Sequence, residues 1–275
     1  MKNPTICISI VTYNHSYQSI EKTIQSVVNT EIDWHLFIID NSETDIISQY
    51  LKDDRISYYK NIKNEGFGAA HNRAIEYAIL KKAKYHLVLN PDIYFDNDVL
   101  IILLNYMNEN KNIGLLMPRI LYPSGETQFL PKLLPNPLDL VIRRLFYNSI
   151  YFKKRMNRYE MKEYCDYKTF ESPIISGCFS LFRIDAILTT GLYDTRYFMY
   201  FEDFDISRRI HENYKTIYYH RAHVYHGYER GAAKKMFLFK IFIISAMKYF
   251  NKWGWFFDSG RQQINRNTIL KIKKT

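Results

Sequence analysis

The segment TICISIVTYN, residues 5–14, is a β-branched apolar run that stops at Thr12-Tyr13-Asn14. Such residues crowd a helix and suit a pleated, covered surface, so Thr5–Thr12 reads as a buried strand. Two later segments repeat the pattern. WHLFIID, residues 34–40, runs into Asp40-Asn41, and YHLVLN, residues 85–90, runs into Asn90-Pro91-Asp92. Helical spacing fills the gaps, with Ile20, Ile24, Val27 and Val28 in one segment and Ala74, Ile75, Ala78 and Ile79 in the next. Strands alternating with helices predict an α/β fold with a parallel, doubly wound sheet. Ligands of such sheets collect outside the carboxyl ends of the strands. All three ends carry hydrogen-bonding or acidic groups. Asn and Asp favour turns on their own account, which explains one such end more easily than three.

Working outward, Asp45–Leu51 reads as a short helix, Ile56–Tyr59 as a strand, Asp98–Asn108 as a helix and Gly114–Pro118 as a strand. From Tyr122 to Ser172 periodicity is lost, apart from a basic helical piece around Leu138–Arg158. Such a stretch suits a substrate cleft or an interface. Regular structure resumes at Ile174–Phe182. A helix starts near Glu202-Asp203 and runs to Asn213, a strand covers Lys215–Val224 and a late helix covers Lys234–Phe250.

A chain of 275 residues can bury a sizeable core, and 10 Gly and 8 Pro argue against a linker-rich protein. Cys7, Cys165 and Cys178 are too scattered for a disulfide framework or a paired zinc site, so buried thiols in a reducing compartment are expected. The first apolar run is too short for a signal-peptide core, and Met236–Met247, broken by Lys240, is too short to span a bilayer. The net charge of +10 is regional. Ten Lys/Arg face one acid from Ala232 onward, and seven face one acid between Arg143 and Lys162, so the remainder is net acidic. Two basic regions suggest an anionic surface. The acidic remainder speaks against a nucleic-acid-binding module, so a membrane is the partner expected and nucleic acid is not.

Several segments could carry chemistry. Asn64-Glu65-Gly66-Phe67-Gly68 opens a helix, and its glycines suit either a close approach to phosphate or a plain structural turn. Asp92 can supply one carboxylate to a hard divalent cation bridging a diphosphate. Glu202-Asp203-Phe204-Asp205 follows an aromatic run. Its acids suit helix capping, or a cleft where one acts as general base. His226 sits at a strand end before Gly227, and imidazole is an ordinary ligand for Mn-type ions. No nucleophile elbow, P-loop or His-Glu-x-x-His pattern is present in the sequence. Lys240, Lys248 and Lys252 recur at multiples of four beside an apolar face, with Trp253, Trp255, Phe256 and Phe257 close by. This pattern fits an interfacial helix on an anionic leaflet, or an ordinary helix packed on the core.

In order and spacing these segments resemble the family 2 inverting glycosyltransferases, in the branch that includes bacterial rhamnosyltransferases. The matching stretches are Val11–Asn14, Ile39–Ser42, Asn64–Gly68 with Asn72, Leu89–Asp92, Ser176–Phe179, Gly191–Asp194, Phe198–Asp205, Ala222–Gly227 and Ser245–Phe250. The resemblance implies a GT-A fold, a Rossmann-like mixed sheet flanked by helices. A catalytic domain would span 1–231, with a nucleotide-sugar half over 1–118 and an acceptor half over 119–231. A basic amphipathic helical region, suited to associating with a membrane, would follow over 232–275. It implies a nucleotide-sugar site from Thr12, Tyr13, Asn14, Asp40, Asn41, Asn64, Gly66, Phe67, Asn72, Asn90 and Asp92. Asp92 and His226 would hold Mg2+ or Mn2+, with Asn90 where the family often has a first Asp. Asp203 would be the base, with Glu202 beside it. The implied reaction moves a sugar, rhamnose from dTDP-rhamnose in this branch, to a saccharide acceptor; a UDP-sugar is the alternative donor. The expected setting is bacterial surface-polysaccharide synthesis on a lipid-linked acceptor, at the inner face of the cytoplasmic membrane. An oligomer is compatible with this reading.

Overall fold

The computed structural model describes residues 4–146, 149–227 and 235–274. The domain boundary expected at 231/232 and the helix start expected at Lys234 lie outside those residues. At the heart of the fold β1 (Ile6–Thr12) pairs in parallel with β2 (Trp34–Asp40) and β4 (Tyr85–Leu89), and β3 (Ile56–Lys60) extends β2 in parallel. The register sets Thr12 opposite Asp40 and Ile10 opposite Leu89, so the three marked strand ends share one edge. Helices α1 (Tyr17–Val28) and α2 (Phe67–Leu80) connect them, burying Ile20, Ile24, Ala74 and Ile75 as their spacing requires.

The sheet is mixed, as the resemblance implies, where the strand–helix alternation by itself suggested a parallel one. After β5 (Ile93–Tyr94), α3 (Val99–Glu109) and β6 (Ile113–Leu121) come β7 (Phe170–Glu171) and β8 (Phe179–Arg183). β8 lies antiparallel between β4 and β6, with Phe179 opposite Leu89. A strand that runs backwards starts where its neighbours end. Ser176-Gly177-Cys178 is thereby delivered to the same edge as Asn90. β9 (Lys215–His226) pairs in parallel with β6 and antiparallel with β5, placing His226 opposite Ile93.

The aperiodic middle holds two helices, α4 (Pro137–Leu145) and α5 (Ile150–Tyr159), where one basic piece was expected. The Asn136–Asp139 capping box and Pro137 start α4. The helix expected at Asp45–Leu51 is a single 3-10 turn, Ser48–Tyr50. α6 (Ile184–Thr190) was not anticipated; α7 (Glu202–His211) was, and α9 (Ser259–Lys274) falls in the C-terminal region expected to be helical. The three cysteines are free and buried, and burial pushes each thiol up to about 12.

α8 (Lys235–Trp253) buries Ala246, Tyr249 and Phe250 against Leu140, Tyr197 and Phe201. Two lysines of its expected basic stripe are engaged by the rest of the fold. Lys248 donates to the Arg196 carbonyl at 2.6 Å, and Lys252 pairs with Asp205 at 2.6 Å and Asp194 at 3.2 Å. Carboxylates and a carbonyl on the body attract those ammonium groups, although both lysines stay exposed to solvent. Among the described residues no helix is long and apolar enough to cross a membrane.

Candidate active site

At the end of β1 and β2, Asp40 is buried and saturated with donors. Its Oδ1 accepts from the Thr12 hydroxyl at 3.0 Å and from the Ser42 amide and hydroxyl at 3.0 and 2.5 Å; its Oδ2 accepts from the Tyr58 hydroxyl at 2.8 Å. The Asn14 amide donates to Ser42 Oγ at 2.7 Å, with Asn14 in the left-handed region at φ 57°. Asp40 therefore organises this rim of the sheet edge, whose exposed members are Tyr13 and Asn14. Ser42 and Tyr58 are working parts of this rim that were not singled out from the sequence as site residues.

The glycine loop is tied down by neighbours on every side. Asn41 accepts from the Asn61 side chain at 2.8 Å and donates to the Gly66 carbonyl at 3.3 Å, and Asn64 Oδ1 accepts from the Gly66 amide at 2.9 Å. Gly66 sits at φ 86°, and a Cβ there would stand 2.1 Å from the Phe198 carbonyl oxygen. The Phe67 amide donates to that same oxygen at 2.8 Å. At Gly68 a Cβ would meet Tyr193 Cβ at 2.9 Å. Protein-to-protein packing thus requires both glycines, so the structural-turn reading of the loop stands and phosphate approach is not needed to explain them. Asn72 is likewise engaged: its amide donates to the Tyr193 carbonyl at 2.9 Å and accepts from the Tyr193 amide at 3.0 Å. These contacts staple the first half of the chain to the segment that leads into α7.

Asn90 closes the turn after β4. Its amide donates to the Cys178 carbonyl at 2.9 Å, and its carbonyl accepts from Ile93. Asp92, half-buried, places Oδ1 3.3 Å from His226 Nε2. His226 is buried, and its Nδ1 lies 3.0 Å from Gln128 Oε1 while Gln128 Nε2 donates to the His226 carbonyl at 3.2 Å. With the Gln128 amide assigned in this orientation, Nδ1 carries a proton and Nε2 is turned toward Asp92. An amide oxygen that fixes the tautomer in this way is a common support behind a metal-bound imidazole. Two ligands at right angles about an octahedral ion, each about 2.1 Å away, stand about 3 Å apart. The pair therefore fits Mg2+ or Mn2+. Among the described residues no cluster of three or more His, Cys, Asp or Glu could hold a metal. Remaining positions would fall to water and to phosphate oxygens. Gln128, in the aperiodic middle, carried no sequence signal.

The three acids that start α7 separate into three roles. Asp205 is fully buried and paired with Arg209 Nε at 2.9 Å, Trp253 Nε1 at 2.8 Å and Lys252. Glu202 is buried, and its Oε2 has no hydrogen-bond partner among the described residues. Burial first, then the Asp203 charge, pushes its carboxyl well above the usual range. Asp203 remains partly exposed. Its Oδ2 accepts from the Gly177 amide at 3.1 Å and its Oδ1 from the Phe204 amide at 2.9 Å. Burial raises its pKa, while the Gly177 amide, the Lys132 charge and the Phe204 amide hold the rise in check. Two neighbouring carboxyls with different surroundings thus favour an ionised Asp203 beside a neutral Glu202. Tyr200 and Phe201, both left-handed at φ 68° and 67°, lead into this helix. Ser176-Gly177-Cys178 joins the two halves of the site, touching Asn90 through Cys178 and Asp203 through Gly177.

Residues 7–190 match the family model described as glycosyl transferase family 2. An uncharacterized glycosyltransferase of Rickettsia conorii is 35% identical over 117 residues, covering 41% of this chain and 19% of that protein. One from Methanocaldococcus jannaschii is 32% identical over 123 residues, covering 42% and 41%. The chain thus matches less than half the length of these curated relatives. Among solved structures, GalNAc-T7 with UDP, GalNAc and Mn2+ superposes with a TM-score of 0.63 at 16% identity, covering 86% of this chain and 46% of that one. S. aureus TarS superposes with a TM-score of 0.59 at 14% identity, covering 90% and 40%. Both are likenesses of fold, and the mixed sheet flanked by helices is the GT-A architecture.

Proposed function

The chain belongs to glycosyl transferase family 2, and from that premise we propose that it moves a sugar from a nucleotide-diphospho-sugar to a hydroxyl of a saccharide acceptor, inverting the anomeric carbon. The observation that carries the reading is the meeting of two devices at one sheet edge. The Asp92–His226 pair and the Asp203 carboxylate are joined through Gly177 and Cys178. Thr12, Tyr13, Asn14, Asp40 and Asn41 would frame the nucleoside, and Asn64, Gly66, Phe67, Asn72 and Asn90 would support or border the donor.

Asp203 takes the proton of the acceptor hydroxyl as that oxygen attacks the anomeric carbon. The bond to the diphosphate breaks on the opposite face, and its electron pair leaves with the nucleotide. Glu202, buried and uncharged, acts through Asp203 as a positioning residue. Mg2+ or Mn2+, when bound, would neutralise charge developing on the departing diphosphate, with Asp92 and His226 holding it. The motif set favours dTDP-rhamnose as donor. A lipid-linked acceptor of bacterial surface-polysaccharide synthesis, met at the inner face of the cytoplasmic membrane, is supported by the exposed apolar residues of α8, among them Phe237, Ile243, Ile244 and Met247.

The test is release of nucleoside diphosphate from a panel of dTDP- and UDP-sugars, with Mg2+ or Mn2+ supplied, with the product anomer read by NMR. Turnover of dTDP-rhamnose to the inverted product is the expected result. Turnover confined to UDP-sugars would replace the donor assignment, and no turnover of any donor with any acceptor saccharide would sink the reading.

A further inference from the structure

We propose that the cavity between α5 and α9 is a docking site for the phosphates of an anionic lipid leaflet. This gives the membrane association proposed above a location, and glycosyl transfer does not depend on it. The cavity measures about 990 Å³ and lies outside the candidate active site. Lys153, Lys154 and Arg158 enter it from α5 and Lys273 from α9. The two basic regions, far apart in sequence, therefore converge on one hollow. Neighbouring cations are already neutralised: Arg155 by Asp139, Lys162 by Glu160, and Lys271 by Glu171. Lys153, Lys154, Arg158 and Lys273 have no acidic partner among the described residues. These four cations outnumber Glu163, the acid that also lines the hollow, so they repel one another on balance, and an anion placed between them relieves that repulsion.

The apolar margin points to a membrane rather than to a soluble polyanion. Ile150 lines the cavity, is 80% exposed, and lies one helical turn before Lys154 on the same face. Tyr151 beside it is 89% exposed. A leaflet takes both kinds of group at once, cations at the phosphates and apolar or tyrosyl side chains just beneath. A soluble polyphosphate has nothing to offer Ile150.

Flotation of the full chain with phosphatidylcholine vesicles, with and without phosphatidylglycerol, tests this directly and needs no sugar donor. Binding is expected only with phosphatidylglycerol, and it should weaken with salt. A cation near an anionic leaflet contributes about 1 kcal/mol, so Lys153→Gln with Lys273→Gln should cut partitioning about thirtyfold with an unchanged melting temperature. Ile150→Ser should weaken binding while leaving its salt dependence in place. Three results would overturn the proposal. One is wild-type vesicle binding by the double variant. Another is capture of soluble polyphosphate without vesicle binding. The third is loss of vesicle binding in Ile243→Ser with Ile244→Ser on α8 but not in the cavity variant.

Discussion

Gln128 holds His226 at both ends of the residue, facing Nδ1 with its carbonyl oxygen at 3.0 Å and donating its amide to the main-chain carbonyl at 3.2 Å. This double contact aims Nε2 at Asp92. Replacing Gln128 by Leu keeps the bulk but frees the imidazole to rotate and change tautomer. Mn2+ affinity should fall about 10–100-fold, as when other supports behind a metal ligand are removed. Titration of Mn2+ into the protein with nucleoside diphosphate present measures it, and an unchanged affinity would remove Gln128 from the site.

Asp203 and Asp205 lie two residues apart and should fail in opposite ways. Asp203→Asn should lower kcat by about 10²–10⁴-fold with an unaltered melting temperature, the cost of losing a positioned base. Asp205→Asn leaves Arg209 and Lys252 facing a neutral amide and should cost about 3 kcal/mol of stability. The base works deprotonated, so wild-type activity should fall as pH drops through an apparent pKa above the ordinary carboxylate value. That acid limb should be missing from the residual activity of Asp203→Asn. A pH–rate profile alongside chemical denaturation separates the two residues.

At Gly66 any side chain meets the Phe198 carbonyl, and the backbone angle is one that L-residues rarely adopt. Gly66→Ala should therefore destabilise by about 3 kcal/mol or more, from backbone strain and overpacking together. Denaturant midpoints would show it. A near-neutral substitution would mean that the staple between the two halves is looser than this contact implies.

Beneath the sheet edge, Ser9 bridges His71 at 2.7 Å and His86 at 2.8 Å, all three fully buried. Burial lowers both imidazoles, His71 well below its ordinary value and His86 to about 3. The folded protein thus binds fewer protons than the unfolded chain, for which imidazole titrates near 6.5. The resulting stability is complete above that pH and is lost as pH falls from there toward the folded values. Between pH 7 and 5 each histidine should account for about 2 kcal/mol. Glu202 and Asp203, raised by burial, act in the opposite direction, so the comparison must be between variants. His86→Leu should reduce the loss between pH 7 and 5 by about 2 kcal/mol, whatever its effect on stability at pH 7.

The part of the candidate site built from strand ends was legible as a shared sheet edge because it is local. Thr12, Asp40 and Asn90 each follow an apolar run, and parallel pairing brings such ends to one edge. Gln128 carried no signal, and Tyr193, inside a matching stretch, had no assigned role, because their meaning comes from contacts 98 and 121 residues away, to His226 and Asn72. The glycine loop could be read two ways, since a glycine is required equally where a ligand approaches and where another strand of protein does. Lys248 and Lys252 suggested an outward stripe because periodicity shows that residues share a face, not what that face meets.

Phe201 is a large aromatic residue held in a glycine-like conformation at the foot of the helix that carries Asp203, and Phe204, Phe242 and Tyr249 surround it. Two of those three rings come from α8. For anyone shortening this chain, the C-terminal helices are therefore not a removable tail. A version ending near residue 231 would keep every group assigned to chemistry, yet lose the wall that holds Phe201 in place. Such a version would be a poor starting point for crystallisation, for fusion or for grafting this site onto another scaffold.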